Sequence, residues 1–174
     1  RKDNPNIVRF WRVLENAAIE AIRKPGLMVT AGKYIVFRKA GSFLWCRLPS
    51  GRALCYPYPK IIQKEVPWGG TKPTIAFKGV DAISKKWGDQ DTYGGKLSEN
   101  CTQAVARDLL TEAMLRLEQA GYPVNSHIHD EVVCEIPVGT SDLNTFEKLM
   151  AETPSWADGL PVQAEGWIGK RYRK

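Results

Sequence analysis

Two short segments carry side chains with chemistry to perform. The first is Ser126-His127-Ile128-His129-Asp130-Glu131-Val132-Val133, where two adjacent carboxylates fall between two β-like runs. A tight turn between strands exposes its residues and holds them on a rigid scaffold. Asp130 and Glu131 could there bind Mg²⁺, which takes one or two carboxylates and leaves its other positions to water and phosphate. The same residues also read as ordinary turn acids. His127, His129 and Asp130 could also be read as a zinc site, but only two histidines exist in the chain and Asp130 follows His129 directly, so the ligand set falls short. The second segment holds Asn100, Gln103 and Arg107. Their helical spacing puts them on one face, where amide and guanidinium groups suit the acceptors of a DNA minor groove. A solvated helix face is the plainer alternative.

These residues need elements to position them. Asn4-Pro5 starts a helix, with Asn as cap and Pro in the first turn. Ile7, Val8, Trp11, Leu14, Ala18 and Ile22 form its apolar stripe, and Pro25-Gly26 ends it. Tyr34–Phe37, Phe43–Leu48 and Arg52–Tyr56 predict a three-stranded antiparallel meander within an insertion spanning 28–62. Its aromatics suit a core or a sheet face better than a base-stacking platform. Prolines 57, 59, 67 and 73 mark residues 57–74 as an irregular connector, and Ile75–Phe77 and Ser84–Trp87 give only weak strand or turn signals. A long helix is predicted from about Glu99 to Gln119, with Val105, Leu109, Ala113 and Leu117 inward, stopped by Gly121 and Pro123. Val124–His127 and Val132–Ile136 are β-like. Ser141-Asp142 opens a last helix through Leu143, Phe146, Leu149 and Met150. The expected fold class is α+β: an antiparallel sheet carrying the Asp130 turn, helices packed on one face, and the meander as an insertion, all within a single domain over 1–174.

Composition narrows the field. The 174 residues are 43% hydrophobic and 25% charged, enough apolar material for a packed core rather than a disordered chain. No apolar run is long enough to span a membrane. The net charge of +6 is compatible with a polyanionic partner without requiring one. The four cysteines form no CxxC pair, so they read as free thiols of a reducing, cytoplasmic compartment. A start at Arg1, without Met or a signal segment, reads as a fragment or a processed form.

At this point several segments, in order, resemble the phage branch of the family A DNA polymerases. His129-Asp130-Glu131 resembles the last polymerase motif. Thr92-Tyr93-Gly94-Gly95-Lys96-Leu97, Glu99-Asn100, Gln103-Ala104 and Ala106-Arg107-Asp108 look like the helix before it. Leu48-Pro49-Ser50-Gly51-Arg52 with Tyr56-Pro57-Tyr58-Pro59 looks like the hairpin region. Gly159-Leu160-Pro161, Ala164-Glu165-Gly166-Trp167 and Gly169-Lys170-Arg171-Tyr172 look like the C-terminus.

The resemblance implies a palm-like fragment of a DNA-directed DNA polymerase, a nucleotidyltransferase of DNA replication in phage or prophage. It implies that Asp130 is one of two aspartates holding two Mg²⁺ ions, with Glu131 beside it in a weaker metal role and His129 near the primer terminus. Gln103 would face the minor groove, with Asn100 and Arg107 placed similarly and Lys96 touching phosphate. The implied partners are primer-template DNA, dNTP and the remaining polymerase segment. Two family features have no match. The Asp-x-Ser-x-x-Glu motif is absent, since Asp81-Ala82-Ile83-Ser84 is followed by Lys86 where the acid should stand. The dNTP-binding fingers helix is only mimicked by Lys85 and Tyr93-Gly94, with Gly88 and Asp89 breaking the pattern. The fragment alone is therefore expected to be inactive. The competing readings are a non-catalytic DNA-binding module, one half of a split polymerase, and a metal-dependent hydrolase built on His127, His129 and Asp130.

Overall fold

The computed structural model describes residues 4–65, 69–140 and 142–172. Pro67 of the expected connector, Ser141 of the expected helix start, and Arg173 and Lys174 lie outside them. The chain is α+β, with antiparallel sheets and three α-helices among the described residues. It divides into two compact units, 1–103 and 104–174.

In the first unit, α1 (Pro5–Arg23) buries Leu14, Ala17, Ala18, Ile19 and Ala21. Pro5 stands at the first helical position, where a missing N–H costs nothing. Asn4 occupies the cap position, but its side chain makes no cap bond. The small residues at 17, 18 and 21 let the helix lie close on the inner face of a four-stranded antiparallel sheet, order β1 (Met28–Ala31), β2 (Ile35–Ala40), β3 (Phe43–Arg47), β4 (Ala53–Pro57). The expected three-stranded meander thus gains Met28–Ala31 as an edge strand. Burial alternates along β3, with Leu44 and Cys46 inward and Phe43, Trp45 and Arg47 outward, the two-residue period of a sheet covered on one side.

The expected connector is a correction. Residues 60–92 form a second antiparallel sheet, β5 (Lys60–Glu65), β6 (Thr71–Val80) and β7 (Trp87–Thr92), with β6 in the middle. The prolines sit where a sheet tolerates a missing N–H. Pro57 closes edge strand β4. Pro73 pairs only with Gln63 of β5, because β7 does not join β6 until Ile75. Strand β7 reads Trp-Gly-Asp-Gln-Asp-Thr, with little intrinsic strand preference. Lysines across the sheet compensate: Lys78 of the adjacent β6 and Lys60 of β5 beyond it reach Asp89 at 3.3 and 3.1 Å, and Lys64 of β5 pairs with Asp91. Asp81 uses its carboxylate on the turn between β6 and β7, accepting from the backbone N–H of Ser84 (2.7 Å) and Ile83 (3.2 Å).

Helix α2 (Gly94–Gln119) starts five residues before the expected Glu99 and runs through the division between the units. Its buried positions in the first unit are Gly94, Leu97 and Cys101. Cys101 Sγ lies 3.6 Å from Cys46 Sγ of β3, and both thiols are free and buried. The contact with Cys101 and burial both raise the Cys46 thiol above its ordinary range. In the second unit the buried line is Ala104, Asp108, Leu110, Ala113 and Leu117; of the expected stripe Ala113 and Leu117 are buried, whereas Val105 and Leu109 are only half-buried and Ala104 and Asp108 turn inward beside them.

The second unit continues with the hairpin β8 (Val124–Ile128) and β9 (Glu131–Cys134), then α3 (Leu143–Ala151) and a short 3₁₀ turn, Ser155–Ala157. Gly121 at φ +85° ends α2, and the Tyr122 N–H closes back onto the Leu117 carbonyl. Asp142 caps α3 through the Asn144 N–H at 3.1 Å. That bond and the Thr145 hydroxyl, the larger effect, hold the Asp142 carboxyl below its ordinary range. Arg116 ties α2 to α3 by donating to the carbonyls of Leu149 (3.0 Å) and Glu152 (2.5 Å), and Tyr122 meets Phe146 edge-on at 5.3 Å.

Gly94 and Gly95 give a direct test of this packing. A Cβ on Gly94 would overlap the backbone carbonyl of Trp11, whereas one on Gly95 would meet the Tyr93 ring at 2.7 Å, and a ring can rotate aside. Gly94→Ala should destabilise the fold by about 1–3 kcal/mol in denaturant unfolding. Gly95→Ala should cost clearly less. Equal effects would contradict the close approach of α1 to the start of α2.

Candidate active site

The β8–β9 hairpin is built around a two-residue loop. Ile128 pairs with Glu131, leaving His129 and Asp130 as the whole turn. Two-residue hairpin loops fit the twist of the flanking strands when the first loop residue takes positive φ. His129 does so, at φ +53°. That region is costly for most side chains but is visited several-fold more often by Asn, Asp and His. The loop therefore holds Asp130 at the apex, with its side chain exposed.

Glu131 is not a turn residue. It opens β9, and its carboxylate accepts a 2.9 Å hydrogen bond from the Tyr172 hydroxyl of the C-terminal segment. The sequence places Asp130 and Glu131 side by side at a tip; the structure separates them into an apical acid and a strand acid with a partner of its own. A bulge at Asn125 shifts the β8 register between Val124 and Ser126, a device that re-aims strand residues. The bulged Asn125 donates to Glu135 at 2.9 Å, and the Val124 N–H donates to Glu118 at 2.6 Å. Cys134 of β9 is pushed up to about 11, mainly by burial and also by Glu118, so it is a packing residue rather than a nucleophile.

Arg107 reaches the ring of His127, with Nη1 and Nη2 each 3.1 Å from a ring nitrogen. A guanidinium only donates and a neutral imidazole has one acceptor nitrogen, so one of the two contacts is a hydrogen bond. The pair fastens α2 to β8 and leaves His127 engaged. Among the described residues no group of three or more His, Cys, Asp or Glu side chains is gathered to hold a metal ion. The hairpin thus offers one exposed apical carboxylate and a neighbouring carboxylate held by a tyrosine.

Lys96, Asn100 and Gln103 belong to the first unit. Lys96 and Gln103 are exposed, and Gln103 makes one long, 3.3 Å contact to Glu99 on its own helix. The Asn100 amide donates to the hydroxyl of Tyr56 at 3.1 Å, an attachment to the sheet that the sequence does not signal. Burial lifts the Tyr56 phenol above its ordinary range, against the opposing effect of Asn100. Sequence reasoning also misses the supporting contacts of Tyr172 and His127. Their partners lie 41 and 20 residues away in the chain, beyond any local pattern.

Comparison with known proteins gives one line of support. No protein-family model matches the chain, and no solved structure matches it. Among curated proteins, the chain is similar to the DNA polymerase of Bacillus phage SP02, 42% identical over 176 residues. The similarity covers 100% of this chain and 26% of that polymerase, so the chain spans about a quarter of the length of its relative. No helix among the described residues is long and apolar enough to cross a membrane.

The Tyr172–Glu131 bond can be read by titration. As the acceptor of this hydrogen bond, Glu131 holds the proton on the Tyr172 phenol and raises its pKa above the ordinary value. The protonated phenol is the donor, so the bond is complete at neutral pH and is lost as pH rises through that raised value. Glu131→Gln should bring the tyrosinate absorbance of this residue, isolated by difference against Tyr172→Phe, back toward about pH 10. An unmoved titration would mean that the tail does not engage the hairpin.

Proposed function

We propose that this chain is the part of a template-directed DNA polymerase of family A that carries its last catalytic motif, a palm-region segment working with the rest of that enzyme. The observation that carries the reading is the exposed Asp130 fixed at the apex of a two-residue turn, within a chain similar from end to end to part of a phage DNA polymerase. Primer extension is phosphoryl transfer to a 3′-hydroxyl, and its catalysis is chiefly positioning and charge neutralisation.

The donor set fits Mg²⁺ in part. Asp130 supplies a hard, unburied oxygen, and Mg²⁺ is commonly held by one or two carboxylates plus phosphate and water. The second aspartate of a two-metal site has no counterpart in this sequence and would come from another segment of the polymerase. Mg²⁺, when bound, neutralises charge on the attacking and leaving oxygens. The chain's own residues do the positioning. The His129 backbone holds Asp130 outward, and the His129 imidazole serves near the primer terminus. Glu131, steadied by Tyr172, is the weaker metal-side acid. Gln103 contacts the minor groove of the new duplex, Asn100 and Arg107 lie toward the same duplex, and Lys96 takes a phosphate. The substrates are primer-template DNA and dNTP.

A chimaera tests this. The matching segment of the SP02 polymerase is replaced by this chain, and primer extension is measured with Mg²⁺ and dNTPs. The chimaera should extend primers, and Asp130→Asn within it should lower the rate by about 10²–10⁴, the several kcal/mol attributed to metal charge stabilisation. The chain by itself should extend none. Undiminished extension by the variant, or robust extension by the isolated chain, would overturn the reading. Gln103→Ala in the chimaera should weaken primer-template binding while leaving dNTP binding unchanged.

A further inference from the structure

We propose that the outer face of the four-stranded sheet binds single-stranded DNA, with bases stacking on Phe43, Trp45 and Tyr58 and phosphates meeting Arg38 and Arg47. This surface belongs to the first unit and shares no residue with the Asp130 hairpin, and the inference does not rest on the polymerase reading. Pairing across the sheet places Trp45 directly between Arg38 of β2 and Cys55 of β4, with Met28 of β1 beyond Arg38. One step along, Phe43 stands between Ala40 and Pro57. Directly paired residues project to one face, so these side chains form one surface, opposite the face that α1 covers. Phe43 is 5.6 Å from Trp45 and 6.4 Å from Tyr58 between ring centres, in one continuous aromatic strip.

All three rings are open to solvent, Trp45 by 38%, Phe43 by 37% and Tyr58 by 60%. Isolated exposed aromatics need no explanation, but a contiguous strip does. Tyr58 is held there at φ +49°, and its N–H donates to the Ser42 carbonyl at 2.6 Å.

The charge around the strip selects the occupant. Between Glu20 and Glu65 the sequence carries nine lysines and arginines and no acid, and of the nine Lys24, Lys60 and Lys64 pair with Glu20, Asp89 and Asp91 from outside that stretch. Arg38 and Arg47 are exposed on the face itself. Cations flanking an uninterrupted aromatic surface are the two parts of a single-strand site: the groups that track the backbone, and the rings on which unpaired bases stack whatever their identity. A duplex keeps its bases stacked inside and would use only the cations.

The test measures binding of a fluorescently labelled oligo-dT 15-mer to the 174-residue chain by anisotropy, beside a blunt duplex of the same length. The chain should bind the single strand, and Trp45→Ala should weaken that binding by about tenfold or more, while duplex binding changes little. Trp45→Leu keeps apolar bulk without a stacking ring, guarding against loss of fold, and should weaken it similarly. Arg38→Ala with Arg47→Ala should make the log–log salt dependence shallower by about 1.4, at ~0.7 for each phosphate that an arginine neutralises. Bound oligonucleotide should also slow alkylation of Cys55, the cross-strand neighbour of Trp45. Unchanged single-strand affinity in Trp45→Leu, or Cys55 alkylation indifferent to the oligonucleotide, would overturn the proposal. So would a concentration-dependent dimer that Trp45→Ala dissociates without affecting DNA binding.

Discussion

A hairpin loop of two residues can present two side chains and no more. That constraint governs the candidate site. With Ile128 paired to Glu131, the loop has room for His129 and Asp130 alone. The twist of the strands then forces positive φ on the first of them, and His129 accepts it. Glycine would hold the same backbone with less strain but would bring no side chain to the apex. The positive φ of His129 is thus the local cost of a two-residue turn that carries two side chains at its apex. The rest of the second unit steadies this apex. Arg107 grips His127 two residues before the turn, Tyr172 holds Glu131 just after it, and Glu118 secures the first strand at Val124.

Two adjacent acids can be assigned different work by this geometry. Side chains on consecutive strand residues leave on opposite faces, and a turn residue leaves along neither. Asp130 projects from the apex with its carboxylate exposed, while Glu131 spends one oxygen on a phenol. The apical carboxylate keeps its oxygens accessible. One that orients a neighbouring segment gives an oxygen to a donor. The asymmetry within the Asp-Glu pair follows from where the turn ends.

How much of this is legible in the sequence depends on the distance over which each element is specified. The hairpin, α1 and the end of α2 are readable, because apolar runs, Pro5 and Gly121 act locally. The α+β class follows from the same signals. Strands β5 to β7 are not readable: prolines suggest a connector, and Gly88, Asp89 and Asp91 hide a strand that lysines across the sheet make possible. Within the candidate site, the turn position of Asp130 is legible from its setting between apolar runs. The strand position of Glu131 is not, since a shift of one residue in a turn leaves no mark on composition. Asn100 reads as part of a polar helix face, and its bond to Tyr56 shows how a buried hydroxyl on a distant strand can claim a surface amide.

The segregation of charge adds a second theme. With nine cations between Glu20 and Glu65, the rest of the chain holds sixteen against nineteen acids. The overall excess of +6 is thus the residue of two opposed regions rather than a uniform basic surface. Near an exposed carboxylate, ammonium and guanidinium groups compete with any cation for the same oxygens. A polyanion needs the reverse, cations free of local acids, since each internal ion pair removes a group that would otherwise displace counterions from phosphate. Keeping acids out of residues 21–64 leaves Arg38 and Arg47 without an acid on their own strands to neutralise them. Acids from outside that stretch neutralise some of its cations, Glu20 at Lys24 and Asp89 and Asp91 at Lys60 and Lys64, none of them on the four-stranded sheet. The four-stranded sheet, whose strands lack any acid, is where that segregation of charge is most complete.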